Sequence, residues 1–287
     1  MNIKKHIPNT ITCGNLLCGC LAIVKAFEGN LLWAAYFVGI AAVLDFFDGF
    51  AARMLKVSSP IGRDLDSLAD MVTFGVVPGV IMYQLIQLSM ADMITGGPAS
   101  SSWMNYPTSV YDELIPNSNA STIPYYIKYI AFAIPIFSAV RLAKFNNDTR
   151  QTDSFIGVPT PANAILICAL PLILYFNYNY YFIGQQNRVL PLVLIAGTED
   201  VVGGFILEPI RLTILSVVTS LLLIAEIPLF ALKFKHFRWK ENEIRFIFLS
   251  LSVVILIALK FIGIPLVIIL YVVMSLVNNF FFKKKTI

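Results

Sequence analysis

The sequence predicts an all-α, polytopic membrane bundle of about eight transmembrane helices with both termini in the cytoplasm. Of the 287 residues, 57% are hydrophobic and only 13% are charged, and the mean hydropathy is +0.76. These values are far too apolar for a soluble domain. Apolar runs long enough to cross a bilayer, which takes about 20 residues, can be drawn at 10–27, 31–55, 66–88, 125–146, 160–182, 209–234, 244–261 and 264–282.

The first run is predicted to remain as an uncleaved helix. Lys4 and Lys5 followed by an apolar stretch imitate a secretory signal, but Thr12 and Asn15 interrupt that stretch. Seven further runs follow, and an uncleaved first helix would orient them correctly. The second and third runs are joined by the short segment 56–62, whose Pro and Gly favour a tight turn between antiparallel neighbours.

Two polar stretches separate the remaining runs of what we interpret as a single membrane domain, residues 1–287. Residues 89–124 are rich in Gly, Pro, Ser and Asn and are predicted to form an extracytoplasmic loop. Residues 185–208 contain an apolar stretch too short to cross a bilayer, so this part is interpreted as an extracytoplasmic or interfacial loop.

The orientation follows from the positions of the cations. With the N-terminus inside, sixteen of the 21 Lys and Arg residues fall in cytoplasmic segments, which is a clear positive-inside bias. The chain is therefore expected in the cytoplasmic membrane, with the lipid bilayer as its surroundings. The net charge of +4 is explained by this orientation, and nothing indicates a nucleic-acid partner.

Four carboxylates near the cytoplasmic ends of the second and third helices are the predicted site. Asp45 and Asp48 are three residues apart and Asp66 and Asp70 are four apart, so each pair lies on nearly the same helix face, about one turn apart. So much negative charge at low dielectric requires cations or protonation. Oxygen ligands without nearby His or Cys clusters favour Mg²⁺ or Mn²⁺, with Ca²⁺ as an alternative, and two such ions would suit displacement at phosphorus.

Small and basic residues surround these acids. Gly49, Ala52 and Gly62 leave room for a nucleotide diphosphate, and Arg53 and Arg63 could bind its phosphate oxygens. Each feature alone also has a structural interpretation, since small residues in membrane helices usually serve packing and an acid at a helix end is often solvated. The combination favours a site.

The chain resembles the CDP-alcohol phosphatidyltransferases, which join an alcohol to a lipid or alcohol carried on CDP. It carries their signature across helices 31–88 with every spacing intact: Asp45-x2-Asp48-Gly49-x2-Ala52-Arg53-x8-Gly62-x3-Asp66-x3-Asp70. The resemblance implies that the first three acids are metal ligands and that Asp70 is the general base, reaching one metal as well. It also implies that Gly49, Ala52, Arg53 and Gly62 contact the CDP moiety, that the active site faces the cytoplasm, and that the enzyme forms a homodimer.

The acceptor alcohol is indicated by segments outside the signature. Residues 6–19, 67–78, 141–146 and 155–162 resemble the phosphatidylserine synthases of this family. The resemblance implies CDP-diacylglycerol and L-serine as substrates, and phosphatidylserine and CMP as products of a direct displacement. A serine carboxylate needs a cation and hydrogen-bond partners, for which the candidates are Arg141, Lys144, Asn146, Asn15 and Thr12. For both cations, a role as a positive-inside anchor is the alternative.

Two other functions remain open at this stage. A sibling enzyme would use glycerol phosphate, inositol phosphate or choline as the acceptor, although a phosphorylated acceptor calls for more cations near the site than the sequence offers. A divalent-cation transporter would also carry intramembrane acids. A transporter should distribute them through the bilayer depth, whereas outside the cluster only Glu226 is predicted to lie deep in a helix.

Overall fold

The fold is a bundle of α-helices with one small pair of β-strands. The computed structural model describes residues 6–57, 59–95, 124–147, 154–183, 206–230, 239 and 242–281. Within these residues the α-helices are α1 (His6–Phe27), α2 (Leu31–Met54), α3 (Pro60–Asp70), α4 (Val77–Thr95), α5 (Ala133–Asn147), α6 (Thr160–Ile183), α7 (Pro209–Ile224), α8 (Glu243–Leu259) and α9 (Gly263–Phe281).

Five helical segments of the described residues are long and apolar enough to cross a membrane. They confirm the polytopic all-α class; the count of eight spans stays a prediction. The segments are His6–Phe27, Leu31–Met54, Pro60–Met90, Tyr125–Asn147 and Glu243–Asn279, and two shorter apolar helices are Thr160–Phe176 and Pro209–Ile224. Most of the predicted loops 89–124 and 185–208 lies outside the described residues.

The turns between the first three helices have recognisable sequence causes. Gly29, with a positive φ of 77°, reverses the chain after α1, and the Asn30 side chain accepts a hydrogen bond from the Trp33 N–H to cap α2. Ser59 caps α3 in the same way by accepting from the Gly62 N–H at 3.0 Å, and Pro60 occupies the first helical position.

The third helix is longer than the predicted run 66–88. It begins at Pro60, continues through a π-helical segment, Met71–Val76, and ends with α4 at Thr95. The first turns of α3 carry Arg63, Asp64 and Asp66, so they are too polar to count toward an apolar run.

The core lies around α4 and α6. Ile81, Met82, Leu85 and Ile86 of α4 and Ile167 of α6 are fully buried. A helix that is apolar on every side is expected at the centre of a bundle. By contrast, few residues of α8 and α9 are buried, as suits helices that face lipid.

The predicted run 209–234 is wrong at residues 225–230, which are not helical. Helix α7 ends at Ile224, because Pro228 disfavours helical geometry in the residue before it, and strand β2 (Pro228–Phe230) pairs antiparallel with β1 (Ser154–Ile156). Glu226 therefore follows the helix and does not lie within it. Gly157 allows the close approach, since its φ is +76° and an added Cβ would lie 2.7 Å from the Leu223 carbonyl oxygen.

Candidate functional site

The carboxylates of the signature meet where the C-terminal part of α2 faces α3. Asp45 and Asp48 come from α2 and Asp66 from α3, and one carboxylate oxygen from each lies within 4.8 Å of those of the other two. Helical spacing explains the alignment within α2. The capped turn ahead of α3 returns the chain so that the third carboxylate faces the other two.

Helix α1 connects the two halves of this cluster. Both α2 and α3 pack more extensively against α1 than against each other, so the direct contact that the short turn predicts between them is small, although their carboxylates do meet. The Thr12 hydroxyl of α1 donates to Asp48 Oδ2 at 2.7 Å, and the Asn15 amide donates to Asp70 Oδ1 at 3.3 Å. Sequence reasoning assigned these two side chains to the acceptor and did not foresee their contacts with the acids.

Asp70 lies beside this trio as the fourth acid of the site. It is not one of the three acids whose oxygens converge within 4.8 Å, but it interacts electrostatically with all three and with the guanidinium of Arg141, and it accepts a hydrogen bond from Asn15. Arg141 is only 7% exposed. Its helix approaches closely because Gly75 has no side chain: an added Cβ there would lie 3.1 Å from the Ser138 Cβ, one turn before Arg141.

An open cavity of about 220 Å³ lies beside the cluster. Its lining includes four of the five positions predicted to receive the CDP moiety, and Arg53 is not among them. An added Cβ at Gly49 would meet no protein atom closer than 3.9 Å, whereas one at Gly62 would lie 3.0 Å from the Asn9 Oδ1 and Ser59 Oγ atoms. The cavity is lined by Pro8, Asn9, Thr12, Asp48, Gly49, Ala52, Val57, Ser59, Gly62, Arg63 and Asp66.

The two arginines of the signature region are exposed. Arg53 donates from Nε to the Gly49 carbonyl oxygen at 3.0 Å, and Arg63 lines the cavity. Long, exposed guanidinium groups beside an open cavity can turn toward an entering phosphate. Asp64, next to Arg63, is exposed, as expected for an acid outside the cluster.

The remaining acceptor candidates divide by burial. Within the described residues, the Arg141 Nε is buried without a hydrogen-bond partner. Lys144, one turn later on α5, is exposed, which fits an anchor at the membrane surface. Asn146 is exposed and donates to the Ser67 hydroxyl at 2.9 Å, so it ties the end of α5 to α3.

The donor set fits a divalent cation. Asp66 Oδ1 is buried and has no hydrogen-bond partner among the described residues, which leaves a negatively charged oxygen uncompensated in a site of low dielectric. Three converging carboxylates with oxygen donors alone are typical of Mg²⁺, Mn²⁺ or Ca²⁺. The trio could therefore bind a metal.

Three side chains near the site were missed by sequence reasoning. Asn9 and Ser59 line the cavity, and Thr73 donates to the Asn15 carbonyl oxygen at 3.3 Å. The Ser-Pro pair at 59–60 is a helix-start signal that could have identified Ser59. Thr73 has no such signal, because its role depends on how α1 packs against the π-helical segment.

Comparison with known proteins identifies the family. The family model for CDP-alcohol phosphatidyltransferase matches residues 5–198, which include the acid cluster, the cavity and α5. The chain belongs to the CDP-alcohol phosphatidyltransferase family. The match covers helices α1 to α6, so α7 to α9 lie outside the part that defines this family of transferases.

Several relatives of this chain share one name. A CDP-diacylglycerol–serine O-phosphatidyltransferase from Bacillus subtilis is 34% identical over 174 residues, covering 61% of this chain and 77% of the relative. Proteins of the same name from Helicobacter pylori and Methanocaldococcus jannaschii are 29% and 27% identical, over 64% and 56% of this chain and 63% and 58% of their own lengths.

Proposed function

We propose that this protein transfers the phosphatidyl group of CDP-diacylglycerol to the hydroxyl of L-serine, giving phosphatidylserine and CMP. The observation that carries the proposal is the convergence of three acids within 4.8 Å beside a cavity whose lining includes Gly49, Ala52 and Gly62. The name shared by the relatives supports serine as the acceptor.

In the proposed reaction, Asp45, Asp48 and Asp66 hold Mg²⁺ or Mn²⁺. Two bound ions would neutralise the diphosphate and stabilise the departing CMP. Arg53 and Arg63 turn toward the phosphate oxygens.

The Asp70 carboxylate accepts the proton of the serine hydroxyl, because an alcohol is a poor nucleophile at neutral pH. The serine oxygen forms a bond to the lipid-side phosphorus, and the bond from that phosphorus to the bridging oxygen breaks. CMP leaves with the electron pair. The place of Asp70 outside the converging trio supports the role of base, and as the fourth acid of the site it would also reach one metal.

Arg141 is the proposed partner of the serine carboxylate. Its guanidinium is buried next to Asp70 and its Nε has no partner in the described residues. A carboxylate bound there would place the serine hydroxyl near the proposed base. The buried Oδ1 of Asn15, which also lacks a partner in the described part of the chain, could accept a hydrogen bond from the serine ammonium group.

The proposal includes the setting of the enzyme. We place residues 1–287 as one membrane domain in the cytoplasmic membrane, with both termini and the active site on the cytoplasmic face, on the basis of the cation distribution. A homodimer is proposed from the family resemblance. The orientation is tested by cysteine labelling. A single cysteine is introduced either at Asp64 or in the loop 89–124, and its labelling is compared in intact and in opened cells.

The reaction is tested by CMP release from CDP-diacylglycerol with purified protein in detergent and Mn²⁺ or Mg²⁺. L-Serine is compared with glycerol 3-phosphate, inositol 1-phosphate and choline. We expect release that depends on serine and that a chelator abolishes. Release with another alcohol would contradict the acceptor assignment, and folded protein that released no CMP with any of the four would contradict the proposed reaction.

A further inference from the structure

We propose that helix α1 supplies two positioning residues, Thr12 for Asp48 and Asn15 for Asp70, and that through them it controls metal affinity and turnover separately. The inference rests on the proposed function for its turnover part, whereas its metal-binding part needs only the acid trio. The positioning role of Asn15 uses its amide nitrogen, whereas the acceptor contact proposed above uses its Oδ1.

Helix α1 packs against both helices that carry the acids of the trio. Helix α1 contains no acidic residue of its own, yet α2 and α3, which carry the acids, both pack on it more than on each other. Thr12 and Asn15 are three residues apart and so lie on one face of α1, about one turn apart. One rigid helix face therefore contacts an acid from each half of the cluster.

The bond from Thr12 fixes the orientation of Asp48. Thr12 is 4% exposed and Asp48 is 6% exposed, so little of either side chain is open to water around the 2.7 Å contact. The Thr12 hydroxyl also lies 3.1 Å from the Pro8 carbonyl oxygen, but it has one proton, and the charged carboxylate is the stronger and nearer acceptor. The bond fixes the plane of the Asp48 carboxylate and therefore the direction of its oxygens toward the other two acids. Outer-shell bonds of this kind orient metal ligands in many proteins.

The bond from Asn15 acts on Asp70 alone. Asn15 is fully buried, and its carbonyl oxygen accepts a hydrogen bond from Thr73, three residues after Asp70. Side chain and backbone of Asn15 thus both contact the α3 segment around the proposed base. Asp70 lies outside the trio, so the loss of this bond should leave the metal ligands in place.

A packing role would predict a different result from a positioning role. If Thr12 only filled space, its replacement by the isosteric Val would be neutral, because the two side chains have nearly the same shape. If Thr12 positions Asp48, Val removes the donor and Ser retains it. Thr10→Val is the matched control, since Thr10 is exposed on the same helix and, among the residues that the structure describes, its hydroxyl donates to the His6 carbonyl oxygen at 2.9 Å and not to an acid.

The experiment measures Mn²⁺ binding without substrates, from the electron paramagnetic resonance signal of free Mn²⁺, together with kcat and KM for CMP release. We expect Thr12→Val to weaken Mn²⁺ binding by about 10- to 100-fold, while Thr12→Ser and Thr10→Val stay within about threefold of the unmodified protein. We expect Asn15→Leu to lower kcat about 100-fold, as for an impaired general base, with Mn²⁺ affinity within about threefold.

Unchanged Mn²⁺ affinity in Thr12→Val, or unchanged kcat in Asn15→Leu, would overturn the proposal. Thr12→Ala, which also lacks the hydroxyl and cannot overpack the site, replaces the Val variant if the latter does not fold, and the same loss is expected. Failure of the proposed function gives a different pattern: the unmodified protein would be inactive with serine, while the order of Mn²⁺ affinities would be unaffected.

Discussion

Replacing Gly19 by Ala should damage both stability and turnover, because this glycine sets the distance between α1 and the π-helical segment after Asp70. An added Cβ would lie 3.2 Å from the Thr73 Cα and Cβ atoms and closer still to the Thr73 hydroxyl, whereas ordinary contact begins at 3.4 Å. The backbone of Thr73 cannot rotate away. The two segments must therefore separate by a few tenths of an ångström.

The consequence can be estimated from two effects. Overpacking of a tight contact costs about 1–3 kcal/mol, which corresponds to a fall in melting temperature of roughly 2–5 °C for a chain of this size. The bond from Asn15 to Asp70 is already 3.3 Å long, so a separation of this size would break it. We expect kcat to fall about tenfold, since small misplacements of catalytic groups carry large rate costs.

The assay combines CMP release with thermal unfolding in detergent. Gly39→Ala is the matched control, because it makes the same change on α2 where an added Cβ would meet nothing within 4 Å. The double variant Gly19→Ala/Thr73→Ala removes the nearest clashing atom and should recover part of the lost melting temperature. If Gly19→Ala had the same kcat and melting temperature as Gly39→Ala, Gly19 would not set the distance between α1 and the segment after Asp70.

Three further predictions concern the acids and the buried arginine. Asp66→Asn should abolish high-affinity Mn²⁺ binding, measured without substrates, because it removes one of three converging ligands; binding equal to that of the unmodified protein would exclude Asp66 from the metal site. Asp70→Asn should retain most CDP-lipid binding, measured by isothermal titration, while losing turnover; an equal loss of binding would make Asp70 a metal ligand. Arg141→Gln should raise the KM for serine at least tenfold with little change in the KM for CDP-diacylglycerol, whereas Lys144→Gln, at an exposed position on the same helix, should change neither.

The acid cluster was predictable because it depends on short spacings within helices. Positions three or four residues apart share a helix face whatever the surrounding fold, so Asp45 and Asp48 could be paired from the sequence. The apolar runs likewise gave six of the eight predicted segments to within a few residues. The exceptions were the third segment, whose polar first turns lie outside the apolar run, and the end of α7, where hydropathy continues past Ile224 while the chain becomes extended ahead of Pro228.

The contacts between helices could not be predicted in the same way. The convergence of three of the four acids and the bonds from α1 depend on how three helices pack, and a single sequence contains no periodic signal for this. The sequence therefore indicated Thr12 and Asn15 as candidate partners of the acceptor and not of the acids. In the structure Thr12 bonds to Asp48 and Asn15 bonds to Asp70. These contacts form because Gly19 lets α1 approach the segment after Asp70 closely.

The position of the site in the bundle explains why polar contacts matter so much there. The core around α4 and α6 is built from fully buried apolar side chains, but α3 buries a single residue, Ala69. Apolar packing thus contributes little to the placement of α3, and its cap at Ser59, its contacts with α1 and a bound cation must supply the rest. A weakly packed helix beside an open cavity also leaves room for a nucleotide diphosphate. Precise placement of Asp66 and Asp70 therefore depends on hydrogen bonds that a hydropathy profile does not reveal.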